Sequence, residues 1–93
     1  MAIWSFRDQD TRAFYEGKRV KRFQSFRAQA ERRLQMLDSA TALADLAAIP
    51  GNRLERLRGD RQGQYSIRIN DQWRICFKWE NEWPSDVEIV DYH

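Results

Sequence analysis

The last three residues carry side chains that can do acid–base chemistry. They are Asp91, Tyr92 and His93, and His93 is the only histidine among the 93 residues. An imidazole titrates near neutral pH and can act as acid or base. A carboxylate can act as a base or orient a neighbour, and a phenol can stack on a nucleobase. A histidine at a chain end is more often an ordinary surface residue, so this pattern alone does not establish a site.

Metal-free cleavage of RNA would use these residue types. The 2′-hydroxyl attacks the adjacent phosphate when a base takes its proton, a cation stabilises the added charge and an acid protonates the leaving 5′-oxygen. His93 can act as acid or base, and Glu55 or Asp91 can act as the base or orient a partner. The cations that could hold the phosphate are Arg58, Arg61 and Arg74.

The basic residues are concentrated in two stretches. Seven lie between Lys18 and Arg33 against one acid, and seven lie between Arg53 and Lys78 against three acids. Thirteen of the sixteen cations are arginine, whose planar fork matches phosphate oxygens. The distribution favours a polyanion partner, and a solvated charged rim is the alternative. The candidate RNA-binding residues are Lys18, Arg19, Lys21, Arg22, Arg61, Arg68 and Lys78.

Several other classes of function are disfavoured by composition. One cysteine, Cys76, and one histidine cannot form an internal disulfide or a structural zinc site, so we predict a small packing residue at Cys76 and no metal or cofactor. The GDRQG stretch lacks the spacing of a phosphate loop. The start of the chain has no signal-peptide pattern and no apolar run approaches about 20 residues, so we expect one cytoplasmic domain over residues 1–93 with no membrane contact.

The first half of the chain predicts a short strand and two to three helices. Residues 2–6 have the pattern of a strand, and Asp8 or Asp10 can cap a short helix that Gly17 ends. A helical repeat begins at Lys18, with one apolar face. Ser39 or Thr41 can cap a further short helix, which Pro50-Gly51 stops. The apolar positions of the Lys18 repeat are Val20, Phe23, Phe26 or Ala30, Leu34 and Leu37.

The second half changes to a two-residue period, which predicts four strands. They cover residues 54–57, 65–70, 73–79 and 87–93, with a loop over residues 80–86. The layout is α+β, with helices packed on one face of a mainly antiparallel sheet. If Trp73 faces the helices, then Arg68, Arg74 and Lys78 lie on a basic, open second face.

The sheet region resembles a known family of toxins. The stretch GNRLERLRGDRQGQYSIRINDQWRICFKW, followed by VEIVDYH, is similar to the HigB toxins of the RelE/ParE superfamily, and the resemblance extends to the opening IWSF and to MLDSATALADL. It implies a RelE-like fold and a ribosome-dependent endoribonuclease that cuts translated mRNA. It also implies a HigA-like helix-turn-helix antitoxin as partner, with operator DNA bound only through the toxin–antitoxin complex.

The resemblance also assigns roles to residues. Asp91, Tyr92 and His93 match the family's active-site tail, Arg58 matches the basic residue before G-D-R, and Arg74 matches the strand arginine. Some HigB toxins carry histidine where this chain has Glu55, which can still act as a base. The basic segment that begins at Lys18 would contact ribosomal RNA. The alternatives are a ParE-like toxin that inhibits gyrase, and a catalytically weak toxin that mainly binds its antitoxin and operator complex.

Overall fold

The computed structural model describes residues 3–91. Three α-helices precede a four-stranded sheet, and short 3-10 turns cover Lys21–Phe26, Pro50–Asn52 and Gly59–Arg61. The helices are α1 (Gln9–Tyr15), α2 (Arg27–Ser39) and α3 (Leu43–Ala47). The strands are β1 (Glu55–Arg56), β2 (Gln64–Arg68), β3 (Trp73–Glu80) and β4 (Trp83–Asp91). The α+β layout predicted from the sequence is confirmed.

The opening segment lies beside β4 without forming a full strand. A single parallel bridge joins Phe6 to Val87, flanked by backbone hydrogen bonds from Trp4 N to Pro84 O (2.8 Å) and from Val87 N to Ser5 O (3.1 Å). The predicted strand over residues 2–6 is therefore reduced to an extended segment. Its Ile3 side chain is buried against the core, which fixes the segment to the edge of the sheet.

Helix α1 begins where the sequence predicted. The Asp8 carboxylate accepts a hydrogen bond from the Thr11 backbone N–H at 3.2 Å, which satisfies one of the free donors of the first turn. Gly17 follows the helix with a φ of 93°, a conformation that glycine adopts without a steric penalty.

The continuous helix predicted from Lys18 is wrong at its start. Residues 18–20 are irregular, Lys21–Phe26 is a 3-10 turn and α2 begins at Arg27. The tighter turn places Phe23 and Phe26, which are three residues apart, on the same buried side. Packing of these two rings against Trp73 on β3 therefore outweighs the regular helical spacing.

Helix α3 is capped in a different way from the predicted one. Its N-terminal flanking residue is Ala42, and the Asp45 carboxylate reaches back to accept from the backbone N–H groups of Thr41 and Ala42 at 2.9 and 3.2 Å. The carboxylate thus bonds the N–H groups at and just before the cap position, which Ala42 occupies instead of the predicted Ser39 or Thr41. These hydrogen bonds lower the pKa of Asp45, because they favour its charged form. Pro50 follows the helix and begins the next 3-10 turn.

The sheet has the strand order β1-β2-β3-β4, and all neighbouring strands are antiparallel. Ile67, Ile75 and Ile89 form one cross-strand row that is buried under the helices. The predicted loop over residues 80–86 is wrong, because Asn81 and Glu82 form a tight two-residue turn and β4 begins at Trp83. Asn81 and Glu82 have φ values of 51° and 69°, which is the left-handed geometry of a hairpin turn.

Candidate functional site

Four polar residues form a row across the second face of the sheet. Glu55 on β1 pairs with Ser66 on β2, Ser66 pairs with Cys76 on β3, and Cys76 pairs with Glu88 on β4. Cross-strand partners point to the same side, so all four side chains lie away from the helices. We call these residues the polar row.

The centre of this face is not open to solvent as we expected. Ser66 and Cys76 are both fully buried. The reason is that the Arg74 side chain folds over Ser66 and bonds to it, while Arg61 bonds to Glu88 at the far side of the row. Long charged side chains therefore cover the middle of the face, whereas the Glu55 carboxylate at its β1 edge remains exposed.

Arg74 is held firmly beside Glu55. Its Nε donates to Ser66 Oγ at 2.7 Å, and its Nη2 donates to Arg53 O at 2.7 Å and lies 3.6 Å from a Glu55 carboxylate oxygen. The Arg74 side chain is only 12% exposed, whereas that of Glu55 is 57% exposed. The structure thus brings together two predicted site residues, a fixed cation and an accessible carboxylate.

An unusual backbone turn supplies one of these contacts. Arg53 has a φ of 43°, in the left-handed region that non-glycine residues rarely adopt. The preceding residue, Asn52, is fully buried, accepts from Arg33 Nη1 at 2.7 Å and donates to Leu46 O at 3.1 Å. Asn52 therefore holds the turn that directs the Arg53 carbonyl at Arg74. Sequence reasoning missed Asn52, Arg53 and Ser66, and the available signal was an asparagine, a turn-forming residue type, directly after Pro50-Gly51.

Arg58 lies at the end of the loop that follows β1. It immediately precedes the 3-10 turn Gly59–Arg61, its side chain is exposed, and it has no ion pair within residues 3–91. It borders a shallow depression of about 410 Å³ that is lined by Arg56, Leu57, Arg58 and Gln62. A cation in this position is accessible to a phosphate.

The other predicted phosphate-binding cations of the sheet are engaged with acids. Arg61 donates to Glu88 and to Gln64, both at 3.1 Å. Lys78 lies 3.4 Å from Asp86. Arg68 pairs with the exposed Asp71, three residues further along the chain. Surface pairs of this kind are weak, and Lys78 has the most exposed side chain of the three, so an RNA phosphate can compete most easily for Lys78.

Asp91 lies on the other side of the sheet from Arg74. It pairs with Trp73, whose ring packs on Phe26, and it accepts from Gln72 Nε2 at 2.9 Å. The register thus separates Asp91 from Glu55, the other candidate base. Tyr92 and His93 lie outside the described residues, and β4 brings the chain to the end of β3 that carries Arg74.

The basic segment before α2 lies on the helix side of the sheet. Arg22 is held by Asp10 at 3.1 Å and stacks over the Phe23 ring at 4.4 Å from its centroid. Lys18 lies 3.8 Å from Glu16. Arg19 and Lys21 are exposed and make no ion pair within the described part of the chain. This segment is therefore a second basic surface, separate from Arg74.

Cys76 has the properties of a packing residue. Burial raises the pKa of its thiol to about 11, although Arg61 and Arg74 partly oppose the shift. A thiol of this kind stays protonated at neutral pH and is a poor nucleophile. Residues 3–91 hold no group of three or more His, Cys, Asp or Glu side chains arranged to bind a metal ion. No helix in the same range is long and apolar enough to cross a bilayer.

Comparison with known proteins decides the family. A family of RelE-like HigB toxins from type II toxin–antitoxin systems matches residues 4–93. The chain belongs to this HigB-like toxin family. It is 41% identical over 76 residues to toxin HigB-1 of Vibrio cholerae, covering 80% of each chain. It is 38% identical over 65 residues to the endoribonuclease HigB of Proteus vulgaris, covering 66% of this chain and 65% of that one.

Solved structures support the RelE-like fold of this HigB-like toxin. The toxin–antitoxin complex YoeB-YefM from Staphylococcus aureus contains a chain that superposes with a TM-score of 0.63 at 22% identity, covering 100% of this chain and 97% of that one. A YoeB/ParE toxin from Agrobacterium tumefaciens gives a TM-score of 0.54 at 18% identity, covering 100% and 99%. The family match and the two HigB relatives confirm the sequence-based recognition of a HigB-type toxin.

Proposed function

We propose that this HigB-like toxin is a ribosome-dependent endoribonuclease that cuts translated mRNA without a metal ion. The single observation that carries the proposal is the exposed Glu55 carboxylate, 3.6 Å from an Arg74 guanidinium that Ser66 and Arg53 hold in place. A base beside a fixed cation is what the attack of a 2′-hydroxyl on its phosphate requires. The similarity to the Proteus vulgaris endoribonuclease supports the same reaction class.

In the proposed reaction Glu55 removes the proton of the 2′-hydroxyl. The 2′-oxygen forms a bond to phosphorus, Arg74 and Arg58 stabilise the charge on the phosphate oxygens, and the bond from phosphorus to the 5′-oxygen breaks. His93 donates the proton that the leaving 5′-oxygen takes up. The products are a 2′,3′-cyclic phosphate and a 5′-hydroxyl, so atoms and charge balance without a cofactor.

The neighbouring residues place the substrate and the catalytic tail. Tyr92 stacks on a base of the mRNA, and Asp91 orients the tail from the far side of the sheet, since its pairing with Trp73 keeps it away from Arg74. Arg61, Arg68 and Lys78 add positive charge along the RNA path. The exposed cations Arg19 and Lys21, with Lys18 and Arg22 beside them, contact ribosomal RNA on the helix side of the sheet.

The proposed protein partner is a HigA-like helix-turn-helix antitoxin. Relatives of this chain are toxins, one by name a HigB toxin of Vibrio cholerae, and a toxin of this class is neutralised by a cognate protein. Operator DNA is bound through the antitoxin in the complex. The two basic stretches of the toxin itself, Lys18 to Arg33 and Arg53 to Lys78, bind ribosomal and messenger RNA in this proposal.

The test is cleavage of an mRNA under translation in a purified ribosome system. His93→Ala is expected to abolish cleavage, because it removes the proposed acid, and to leave the unfolding curve unchanged. Gln29→Ala, an exposed substitution on α2, is the control and is expected to cleave at the wild-type rate. Wild-type cleavage by the His93 variant would contradict the assignment. Inhibition of gyrase supercoiling by a non-cleaving wild-type chain would favour the ParE-like alternative.

A further inference from the structure

Two exposed tryptophans share a cleft at the hairpin end of the sheet. Trp4 is 76% exposed and Trp83 is 45% exposed, and within residues 3–91 the only other exposed large hydrophobic side chain is Ile49. Together with Glu80, Asn81 and Ser85, these tryptophans line a cavity of about 220 Å³. None of these residues takes part in the proposed RNA cleavage. Exposed tryptophans in a concave site are typical of protein-binding surfaces, where they contribute most of the affinity.

The cleft is preformed by the backbone. Trp83 pairs with Glu80 across the two-residue turn of Asn81 and Glu82, which closes the β3–β4 hairpin. The Trp4 backbone N–H donates to Pro84 O at 2.8 Å, so the opening segment is fixed beside Trp83. A rigid site loses little conformational entropy when a partner binds, and this raises the affinity for a given contact area.

The charge of the cleft disfavours a polyanion. Residues 80–85, which form the hairpin end, include two acids, Glu80 and Glu82, and no Lys or Arg. Glu80 and Glu82 are exposed beside the tryptophans, and Ser85 Oγ donates to the Glu80 carboxylate at 3.0 Å, which orients it towards the cavity residues. The neighbouring Lys78 is paired with Asp86. An acidic surface repels RNA phosphates and attracts Lys or Arg side chains, which also stack on tryptophan faces.

The cleft lies far from the candidate catalytic residues. Glu80 is six residues beyond Arg74 on the same strand, which corresponds to about 20 Å at 3.3 Å per residue. A partner that binds the two tryptophans therefore contacts the end of β3 opposite to Arg74. The cleft and the RNA-cleaving face are two separate sites on one sheet.

We infer that this cleft docks the antitoxin, through a segment that presents an apolar or aromatic side chain beside a Lys or Arg. The apolar group fills the space between Trp4 and Trp83, and the cation meets Glu80 and Glu82. This inference rests on the antitoxin partnership proposed above, and it adds the surface and the recognition chemistry. The acidic side chains favour a basic protein segment over RNA. The concave aromatic site favours a segment that also carries an apolar or aromatic side chain over one that is only basic.

The experiment measures the affinity of the full-length toxin for the purified antitoxin encoded beside it, by titration calorimetry at 150 mM salt. Trp4→Ala with Trp83→Ala is expected to weaken binding by at least about 100-fold, the loss typical of two interface tryptophans. The single variant Trp4→Ala is expected to bind the antitoxin about 10-fold more weakly. Because this side chain is highly exposed, the variant should fold, and the test remains valid if the double variant does not. Ile49→Ala is the matched control and should bind like the wild type.

A second pair of variants tests the charge. Glu80→Gln with Glu82→Gln is expected to weaken binding several-fold and to reduce its dependence on salt. Wild-type affinity in the tryptophan variants would overturn the inference. The inference would also be overturned if a tryptophan variant kept its antitoxin affinity but lost either self-association or ribosome binding. If the wild-type toxin itself fails to bind, the proposed partnership fails, and the docking site fails with it.

Discussion

Replacement of Ser66 by alanine tests whether the buried Ser66 hydroxyl positions the Arg74 guanidinium for catalysis. Ser66 is fully buried, and its hydroxyl accepts from Arg74 Nε at 2.7 Å. The variant removes this one acceptor and adds no bulk. The other hydrogen bonds of Arg74 that we describe, to the backbone oxygens of Arg53 at 2.7 Å and of Ser66 at 3.4 Å, use main-chain atoms and persist.

The size of the effect follows from these contacts. A hydrogen bond to a charged group contributes about 1.5–3 kcal/mol. Because two backbone acceptors still hold Nη2, we expect the lower end, about 1.5 kcal/mol of transition-state stabilisation. This corresponds to an approximately tenfold lower rate of mRNA cleavage, with the loss mainly in kcat. The variant should remain folded, with a free energy of unfolding lower by about 1 kcal/mol.

The assay compares cleavage rates on a translated mRNA with urea unfolding of the same samples. Ser85→Ala is the matched control, because Ser85 is also a buried serine bonded to a charged side chain, Glu80 at 3.0 Å, at the far end of β3. The Ser85→Ala variant should lose about as much free energy of unfolding as Ser66→Ala and should cleave at the wild-type rate. Ser66→Thr, which keeps the hydroxyl, should recover most of the rate. A folded Ser66→Ala variant that cleaves at the wild-type rate would refute the positioning role.

Two further predictions concern the buried groups of the sheet. The pKa of the Cys76 thiol is about 11 in the folded chain, whereas its ordinary value is 9.0, so iodoacetamide at pH 8 should modify the native protein at least about 100-fold more slowly than the urea-unfolded chain. The free energy of unfolding should also fall as pH rises from 9.0 to about 11, and this group should cause no change below pH 9.0. Equal alkylation rates would contradict this prediction. Thr11 is fully buried and its Oγ1 accepts from the Ile89 backbone N–H at 3.0 Å, so Thr11→Val should lower the urea unfolding free energy by about 1–3 kcal/mol and Thr11→Ser by less. A Thr11→Val variant as stable as the wild type would show that the backbone N–H finds another partner.

Local chemistry made much of the fold predictable. The cap at Asp8 and the end of α1 near Gly17 follow from single residues whose preferences are strong. The two-residue alternation of β2 and β3 correctly placed Ile67, Ile75 and Phe77 in the core. These features depend on neighbours in sequence, which is why one sequence is enough to predict them.

Features that depend on tertiary contacts were not predictable. The 3-10 turn before Arg27 exists because Phe23 and Phe26 pack on Trp73, about 50 residues away in sequence. The Asn81–Glu82 turn uses a glutamate at positive φ, which residue preferences disfavour. In both cases long-range packing or pairing outweighs the local preference.

The candidate site was predictable in its residue types and only partly in its geometry. Alternation places Arg74 on the second face of the sheet, but it does not show that the side chain turns down onto Ser66 and Arg53. It also gives no register between β3 and β4, so the separation of Asp91 from Glu55 required the structure. Side-chain direction and strand register are set by three-dimensional contacts.

The most direct test of metal-free RNA cleavage on the ribosome is the chemical nature of the fragment ends. A defined mRNA is incubated with the wild-type toxin, once under translation and once as naked RNA, and the termini are identified by mass spectrometry. Attack by the 2′-hydroxyl predicts cuts only in the translated sample, with a 2′,3′-cyclic phosphate on one fragment and a 5′-hydroxyl on the other. Fragments that carry a 5′-phosphate, or equal cleavage of the naked RNA, would contradict the proposal.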